Sequence, residues 1–318
     1  DPAHVIREVT ADTAVNPLKI LVLFLSMTLF SVYLDELGFF SRLSEMVCKK
    51  AENHPKKLFL FLYITVSFLT VFTSNDIIIL TFTPFICEFS KRAGMDPKPF
   101  LFAEFVAANT WSMALLIGNP TNIYIGTSAG ISFFRYGSVM ILPTVFSGIL
   151  SFLLLYLMFG KTLAKESSGM KTIPATTPGD RFLLSVGLVT LLSCILLLSV
   201  SSYTGAEGWL VCAGLLLSET VITVVYLLVR RRGLSFVLRV LKRAPYELIP
   251  FILSMFVIVC ALKISGATEE LRTVLCRTDE LLSYGAASFL FSNLINNIPM
   301  SVLFSEAVAS ERSVFATI

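Results

Sequence analysis

The chain has 318 residues, of which 55% are hydrophobic and 15% charged, and its formal net charge is +3. A mean hydropathy of +0.79 is more than a soluble domain needs for its core, so the composition indicates an integral membrane protein. The small net charge argues against a nucleic-acid partner. Charge-poor runs predict an all-α, polytopic helical bundle surrounded by membrane lipids, because a barrel would alternate apolar and polar residues.

The first apolar run, Leu18 to Leu34, is long enough to cross a bilayer and ends at an acidic pair, Asp35 and Glu36, which we place at the membrane interface. Arg and Lys residues collect in the loops 42–57, 91–98, 161–181 and 230–243. By the positive-inside rule these loops are cytoplasmic, and the loops 201–207 and 263–280 face outward.

The second run, Leu58 to Phe89, carries Ser74, Asn75 and Asp76 near its middle. Each half has about 13 to 16 apolar residues, fewer than the roughly 20 that cross a membrane. We therefore predict a re-entrant hairpin over residues 58–90 whose tip lines a site, since irregular backbone at that depth needs protein or water around it. Two short tilted spans joined by a polar turn outside the membrane are the alternative.

Asp76 is the acidic residue of this predicted tip. A charged Asp at the centre of a membrane helix costs about 2.5–3.5 kcal/mol, so we expect Asp76 to face a cavity. Desolvation favours the neutral acid, which makes Asp76 a candidate proton carrier. Capping of the helix that follows is the competing role, and the two roles can coexist.

The third run, Phe100 to Phe134, is about 35 residues long, too long for one straight crossing. The segment "IGNPTN" (Ile117 to Asn122) interrupts it with a glycine, a proline and two asparagines. We predict a broken transmembrane helix over 100–134 whose half-helix ends face the site, with an ordinary turn outside the membrane as the alternative. Glu104, near the start of this run, is expected to reach water.

A span at 137–159 completes the first half, and a linking segment, 160–245, carries two further transmembrane helices. Glu219 lies in the second of these, where contact with a neighbouring helix is favoured over a role in transport. Both histidines lie outside the apolar runs, which excludes a buried histidine relay. The six cysteines are scattered without paired spacing and predict no metal site.

Two segments of the first half recur near the end of the chain. "LSM" occurs at 25–27 and at 253–255, and "FLTVFTSND" (68–76) matches "FLFSNLINN" (289–297). The basic loops place the two copies in opposite orientations, so we predict inverted repeats: a first repeat over 1–159 and a second over 246–318, truncated after its hairpin at 281–309. Inverted repeats with broken helices are the architecture of secondary transporters.

Four segments resemble the ion transporter superfamily, and most closely its arsenite permeases of the ArsB type: "LDELGFFSRLSEM", "SNDIIILTFTP", "RAPYELIPFILSM" and "NNIPMSVL". "IGNPTN" is similar to the buried loop of the related divalent-anion/sodium symporters. The resemblance covers most of the chain and implies that the hairpin tips and broken-helix loops build the site. The implied substrate- or ion-binding residues are Ser74, Asn75, Asp76, Gly118, Asn119, Thr121, Asn122, Asn296, Asn297 and Pro299.

The chain departs from the symporter pattern in two ways. Asp76 stands where those symporters have threonine, and a carboxylate there would repel a dianion at short range. The second repeat also ends at Ile318 without a broken helix of its own. We therefore expect a fragment that lacks an N-terminal helix and the C-terminal broken helix.

These features predict a secondary active transporter of the plasma membrane that moves a small inorganic solute, with proton-coupled arsenite efflux as the first expectation. A sodium/proton antiporter is the second alternative, and a sodium-coupled di- or tricarboxylate carrier is the third. No cofactor or metal is expected beyond Na⁺ or H⁺ as the coupling ion. A homodimer and a separate ATPase are possible partners. An enzyme is not expected, because the apolar runs offer no paired catalytic groups.

Overall fold

A computed structural model describes residues 16–51, 54–73, 75–164, 179–204, 206–295 and 297–318. The helices in these ranges are α1 (Pro17–Glu36), α2 (Phe39–Ala51), α3 (Pro55–Phe72), α4 (Asn75–Ala93), α5 (Lys98–Trp111), α6 (Pro120–Ser128), α7 (Phe133–Leu163), α8 (Arg181–Thr204), α9 (Gly208–Val229), α10 (Ser235–Lys242), α11 (Leu248–Ile264), α12 (Ala267–Leu275), α13 (Glu280–Ile295), α14 (Asn297–Ala307) and α15 (Glu311–Thr317). Two 3₁₀ turns, Ser112–Ala114 and Leu116–Gly118, separate α5 from α6.

The helices confirm an all-α polytopic membrane protein. Within the described ranges, 5 helices are long and apolar enough to cross a membrane, and up to 6 spans result if α11 and α12 are counted as one. These two are bent by 78° at a junction where Gly266 has a φ of +81°, a left-handed conformation that glycine adopts without strain. The five helices are α1, α3, α7, α8 and α9.

The helices of the first predicted hairpin extend beyond its apolar run. α3 has 18 residues and α4 has 19, whereas 13 to 16 residues were counted in each apolar half of the run. The reason is that both helices continue past the apolar run: α3 begins at Pro55, and α4 includes Lys91. The re-entrant character of the hairpin stays a prediction.

The first hairpin packs along the C-terminal half of α7. The Phe59 ring, near the start of α3, lies 5.8 Å from the Phe152 ring and 6.3 Å from the Tyr156 ring. One turn later, the Tyr63 hydroxyl donates a hydrogen bond of 2.7 Å to the carbonyl of Gly148. The base of this hairpin therefore lies toward the end of α7.

The base of the second hairpin lies at the other end of α7. Arg135, in the first turn of α7, pairs with Glu311 at 2.5 Å. Next to Glu311, the Ser310 hydroxyl donates a hydrogen bond to Glu280, the first residue of α13. The two hairpins thus approach α7 from opposite ends, as inverted repeats require, while the two-fold relation between the repeats and the division into 1–159, 160–245 and 246–318 stay predictions.

Ion pairs join the two ends of α1 to different parts of the linking segment. Lys19, near the start of α1, pairs with Glu207 before α9 at 2.7 Å. At the other end, Arg243 pairs with Asp35 at 2.6 Å and with Glu36 at 3.0 Å, and Glu36 also pairs with Arg239 at 3.0 Å. We name Asp35, Glu36, Arg239 and Arg243 the ion-pair cluster. It places the end of α1 beside a basic loop that was predicted to be cytoplasmic.

A further ion pair ties the start of α8 to the end of α9. Asp180 accepts hydrogen bonds from the Tyr226 hydroxyl at 2.9 Å and from Arg232 at 2.8 Å. Burial raises the pKa of Asp180, but the bonds from Tyr226 and from the Phe182 backbone, with the Arg232 charge, hold this pKa below its ordinary value. The adjacent helices α8 and α9 are thereby fixed at one end.

Two cysteines of the linking segment, which are 18 residues apart in the sequence, lie together in the structure. The sulfur atoms of Cys194 and Cys212 are 3.5 Å apart, and both lie within 3.9 Å of the Met27 sulfur. All three side chains are buried. Linear spacing does not reveal this contact, because it depends on how α8 and α9 pack against α1.

Candidate functional site

The tip of the first hairpin lies between α3 and α4. The Thr73 hydroxyl donates to the Leu69 carbonyl at 2.7 Å, and α4 begins at Asn75. Asn75 is 4% exposed; its amide nitrogen donates to Asn109 Oδ1 at 3.3 Å, while its own Oδ1 has no hydrogen-bond partner among the described residues. The tip therefore presents a buried acceptor that the described part of the chain does not satisfy. Ser74 and the side chain of Asp76 lie outside the described part of the chain.

The broken helix is interrupted by the two 3₁₀ turns before α6. Asn119 caps α6, because its side-chain oxygen accepts a hydrogen bond of 3.0 Å from the Thr121 backbone N–H. The Asn122 amide turns back and donates to the carbonyls of Ser112 at 2.9 Å and Leu115 at 3.3 Å. The interruption is thus held by the side chains of Asn119 and Asn122, which follow it.

Gly118 is required by the close approach of two backbone segments. A Cβ atom on residue 118 would lie 2.2 Å from the carbonyl oxygen of Ser112, the same oxygen that accepts from Asn122. No side chain fits at that distance without moving the backbone. The sequence placed Gly118 in the site, and the structure gives this residue a steric reason.

A line of hydrogen bonds joins the hairpin tip to the interruption. Asn75 contacts Asn109, Ser112 donates to the Asn109 carbonyl at 2.8 Å, and Asn122 donates to the Ser112 carbonyl. We name these four residues the polar chain. Asn109 and Ser112 were not among the predicted site residues, although polar residues in the otherwise apolar 101–117 segment were a usable signal.

The side chain of Trp111 fixes the position of the interruption against α7. Its indole ring lies on Gly148, where an added Cβ atom would be 2.5 Å from a ring carbon. Since Trp111 directly precedes the first 3₁₀ turn, the contact sets where that turn and Ser112 begin.

The second hairpin tip is arranged differently. Asn297 is exposed, Pro299 is half-buried and Asn296 lies outside the described residues. α14 packs against α6, and Lys263 of α11 pairs with Glu306 of α14 at 2.9 Å. Among the described residues, no hydrogen bond or ion pair joins Asn297 to the polar chain, so the meeting of the two tips stays a prediction.

Neutral groups dominate the described part of the candidate site. The N-termini of α4 and α6 add the positive ends of two helix dipoles, at Asn75 and Pro120. Thr121 is 8% exposed, and its hydroxyl has no hydrogen-bond partner. Within the part of the chain that the structure describes, no group of three or more His, Cys, Asp or Glu residues could hold a metal ion. The arrangement suits a solute that both donates and accepts hydrogen bonds.

Two acids are buried outside the polar chain. Glu104 was expected to reach water, but it is 1% exposed, because α3, α4 and α7 surround α5. Glu219 in α9 is 2% exposed, and one of its carboxyl oxygens has no partner beside a cavity of about 60 Å³. The predicted contact of Glu219 with a neighbouring helix agrees with the lining of this cavity by residues of α1 and α10.

Comparison with known proteins identifies the family. A family model described as "Citrate transporter", CitMHS, matches residues 5–314. This chain belongs to that family. The arsenical pump membrane protein of Escherichia coli (strain K12) is 25% identical over 287 residues, which cover 87% of this chain and 65% of that relative. The resemblance to the arsenite permeases is thereby confirmed.

Two eukaryotic relatives match about half of this CitMHS chain. The putative transporter arsB of Dictyostelium discoideum is 30% identical over 159 residues, covering 49% of this chain and 28% of that protein. The silicon efflux transporter LSI3 of Oryza sativa subsp. japonica is 30% identical over 161 residues, covering 50% and 33%. The matches to these three relatives span from 28% to 65% of the relatives' own length. The family and the spanning helices agree on a multi-pass protein of the plasma membrane.

Proposed function

We propose that this protein is a secondary transporter that moves a small hydroxylated inorganic solute, with arsenite as the first candidate. The observation that carries the proposal is the buried, unpartnered Oδ1 of Asn75, which lies at a helix N-terminus and belongs to a hydrogen-bonded chain reaching the interruption before α6. An unsatisfied buried acceptor costs free energy unless a ligand or water supplies a donor.

The chemistry of the described groups favours a neutral solute with several hydroxyl groups. Neutral arsenous acid can donate to Asn75 Oδ1 and exchange hydrogen bonds with the Thr121 hydroxyl. Amides and hydroxyls bind such a solute weakly enough to release it, as transport requires. The names of the relatives support the same solute class, since one is an arsenical pump membrane protein and another a silicon efflux transporter.

The description of the family supports a second candidate, a carrier of citrate or another carboxylate. Helix N-termini and amide donors also bind carboxylates. Among the described residues, however, the polar chain is not joined to any Arg or Lys side chain that would neutralise a trianion. We therefore place the carboxylate carrier, and the sodium/proton antiporter of the sequence analysis, behind the arsenite carrier.

Coupling to protons, with Asp76 as a carrier, is part of the proposal. The remaining implied site residues are Ser74, Asn296, Asn297 and Pro299, which would join the site when the second tip approaches the first. A homodimer, a separate ATPase and Na⁺ as an alternative coupling ion are proposals of the same kind.

The test is transport by the full natural polypeptide in proteoliposomes. Uptake of arsenite, citrate, succinate and sodium ions is measured in parallel, with and without a pH gradient. We expect arsenite to accumulate when the gradient is present and the Asp76→Asn variant to lose that accumulation while it stays folded. Movement of citrate or succinate without arsenite would overturn the arsenite proposal and favour the carboxylate carrier.

A further inference from the structure

Glu104 is a buried acid that the proposed solute site does not use. Its carboxyl oxygens lie 3.2 Å and 3.0 Å from the Thr83 hydroxyl of α4. An ionised carboxylate offers about four acceptor positions, and this hydroxyl has a single proton to donate. Among the described side chains no cation lies beside Glu104, which is 1% exposed, so the ionised carboxylate would carry a large desolvation cost. In this conformation the Glu104 carboxyl group is therefore neutral and holds a proton.

The groups around Glu104 leave this conclusion intact. The described titratable side chains on the helices packed against α5 are Lys56, Lys57 and Tyr63 of α3, Cys87, Glu88 and Lys91 of α4, and Arg135, Tyr136, Tyr156 and Lys161 of α7. None of these described groups is hydrogen-bonded or ion-paired to Glu104. The side chains of Asp76 and Arg92, also in α4, lie outside the described part.

Glu104 and the polar chain lie along the same interface between α4 and α5. Thr83 follows Asn75 by eight residues of α4, or about 12 Å along the helix, and Glu104 precedes Asn109 by five residues of α5, or about 7.5 Å. The Thr83–Glu104 contact therefore lies between the tip and the 93–98 turn, which was predicted to be cytoplasmic. The interface has one polar contact at the solute site and one on its predicted cytoplasmic side.

α4 is the partner in this interface that is better able to move. α5 packs more extensively against α3 and α7 than against α4, and its buried Ala103, Ala107 and Ala108 allow close packing. Pro84, directly after Thr83, removes one backbone hydrogen bond from the interior of α4. Bending of α4 at Pro84 would separate Thr83 from Glu104 and admit water to the carboxyl group.

We propose that Glu104 is a proton-binding site on the predicted cytoplasmic side of the first hairpin tip, and that its proton is held while α4 contacts α5 and released when they separate. The inference rests on the proposed transport function. One carboxyl group loses one proton to water when the contact opens and regains one proton before it closes. Closing the α4–α5 contact over a charged Glu104 carries a high desolvation cost. Proton uptake by Glu104 is therefore linked to the movement of α4, which carries Asn75.

The transport test compares two isosteric variants in proteoliposomes with arsenite. Glu104→Gln removes the exchangeable proton and keeps an acceptor for Thr83. Its matched control is Glu219→Gln, a similarly buried acid of α9 that lies outside the α4–α5 interface. We expect Glu104→Gln to lose at least about tenfold of the arsenite accumulation driven by a pH gradient, while arsenite exchange without a gradient stays within about twofold of wild type. Glu219→Gln should retain both.

A Glu104→Asp variant restores an ionisable group and should recover part of the coupled accumulation even if Glu104→Gln folds poorly. Normal gradient-driven accumulation in folded Glu104→Gln, or equal loss in Glu219→Gln, would overturn the proposal.

Infrared spectra of the purified proteins at pH 7 give a readout that needs no solute. Wild type should show the carbonyl stretch of protonated carboxylic acids, and Glu104→Gln should lose part of that band. An unchanged band in Glu104→Gln would overturn the neutral state of Glu104. If wild type moves arsenite neither by exchange nor by accumulation, the arsenite proposal fails. The infrared comparison then decides by itself whether Glu104 binds a proton.

Discussion

The polar chain and the ion-pair cluster satisfy their polar groups in opposite ways. In the ion-pair cluster, Arg243 contacts two carboxylates at 2.6 Å and 3.0 Å, and the groups are ionic. Along the polar chain the groups are neutral, and the buried Oδ1 of Asn75 has no partner. The ion pairs at the helix ends have their partners within the protein and stabilise the fold. The acceptor of Asn75 has no such partner among the described residues, so it is available to a ligand. Variants in the two regions should therefore affect different measurements.

The largest effect is expected for Gly118→Ala. The new Cβ atom would lie 2.2 Å from the Ser112 carbonyl oxygen and would force apart the turns that Asn122 holds. We expect arsenite transport to fall by at least about tenfold, since overpacking typically costs about 1–3 kcal/mol. The measurement is initial uptake at matched protein density.

The control for this change is Gly285→Ala in α13, where the new Cβ atom would lie 3.5 Å from the Ala316 carbonyl oxygen, an ordinary contact. Gly285→Ala should transport at the wild-type rate. Equal rates for the two variants would show that the interruption before α6 does not need its present shape.

The next effect separates the two hairpin tips. Asn75→Ala removes a buried amide and its bond to Asn109. We expect this change to weaken the binding free energy of the solute by about 1–1.5 kcal/mol, which lowers its apparent affinity by about tenfold. Asn297→Ala changes an exposed side chain and should cost less than about twofold. Concentration series of arsenite uptake give both values. Losses of equal size would instead place both tips on the solute in another conformation of the carrier.

A smaller effect, on stability instead of transport, is expected for Arg243→Ala. Burial lowers the pKa of Arg243, but its bonds to Asp35 and Glu36 raise it above the ordinary value, so the ion pairs persist at neutral pH. Arg243 is 39% exposed, and with this solvent screening we expect a loss of about 1 kcal/mol in a thermal unfolding assay.

Arg239→Ala is the matched control, because Arg239 contacts Glu36 alone among the acids of the ion-pair cluster and is 56% exposed. It should lose less stability than Arg243→Ala, and arsenite uptake should be normal in both. A transport defect without loss of stability would contradict a purely structural role of the ion-pair cluster.

The smallest effect is a pH dependence at Asp180. Because the folded-state pKa of Asp180 lies below its ordinary value of 3.8, the ionised group contributes stability above that pH and loses it as the pH falls through the folded-state pKa. Asp180→Asn should therefore be less stable than wild type at pH 7, by about 0.5 kcal/mol for this partly exposed pair. The difference should shrink below pH 3.8. A difference that stays constant from pH 7 to pH 3 would show that Asp180 acts without its charge.

The sequence was sufficient for the membrane character, the family and half of the polar chain. Apolar runs report helices directly, and the polar interruptions at 74–76 and 117–122 stood out because charge and amides are rare there. The ends of α3 and α4 could not be read from the apolar run, because charged residues at helix ends continue the helix without adding hydropathy.

Contacts between distant segments could not be predicted in the same way. The burial of Glu104 depends on three helices that surround α5, and the contact of Cys194 with Cys212 depends on the packing of α8 against α9. Asn109 and Ser112 were detectable as polar residues in an apolar segment, but their contacts with Asn75 and Asn122 depend on how the turns fold. Such contacts follow from tertiary packing, which periodicity does not encode.

The absence of a side chain at Gly148 has a consequence for the distant solute site. The indole of Trp111 occupies the space that a side chain at 148 would fill, and Trp111 is the last residue before the interrupted segment. A methyl group at 148 would clash with the Trp111 indole and displace it. The first 3₁₀ turn, which carries Ser112, would then begin at a different position. Residue 148 touches no proposed solute ligand, yet its size affects the position of Ser112 in the polar chain.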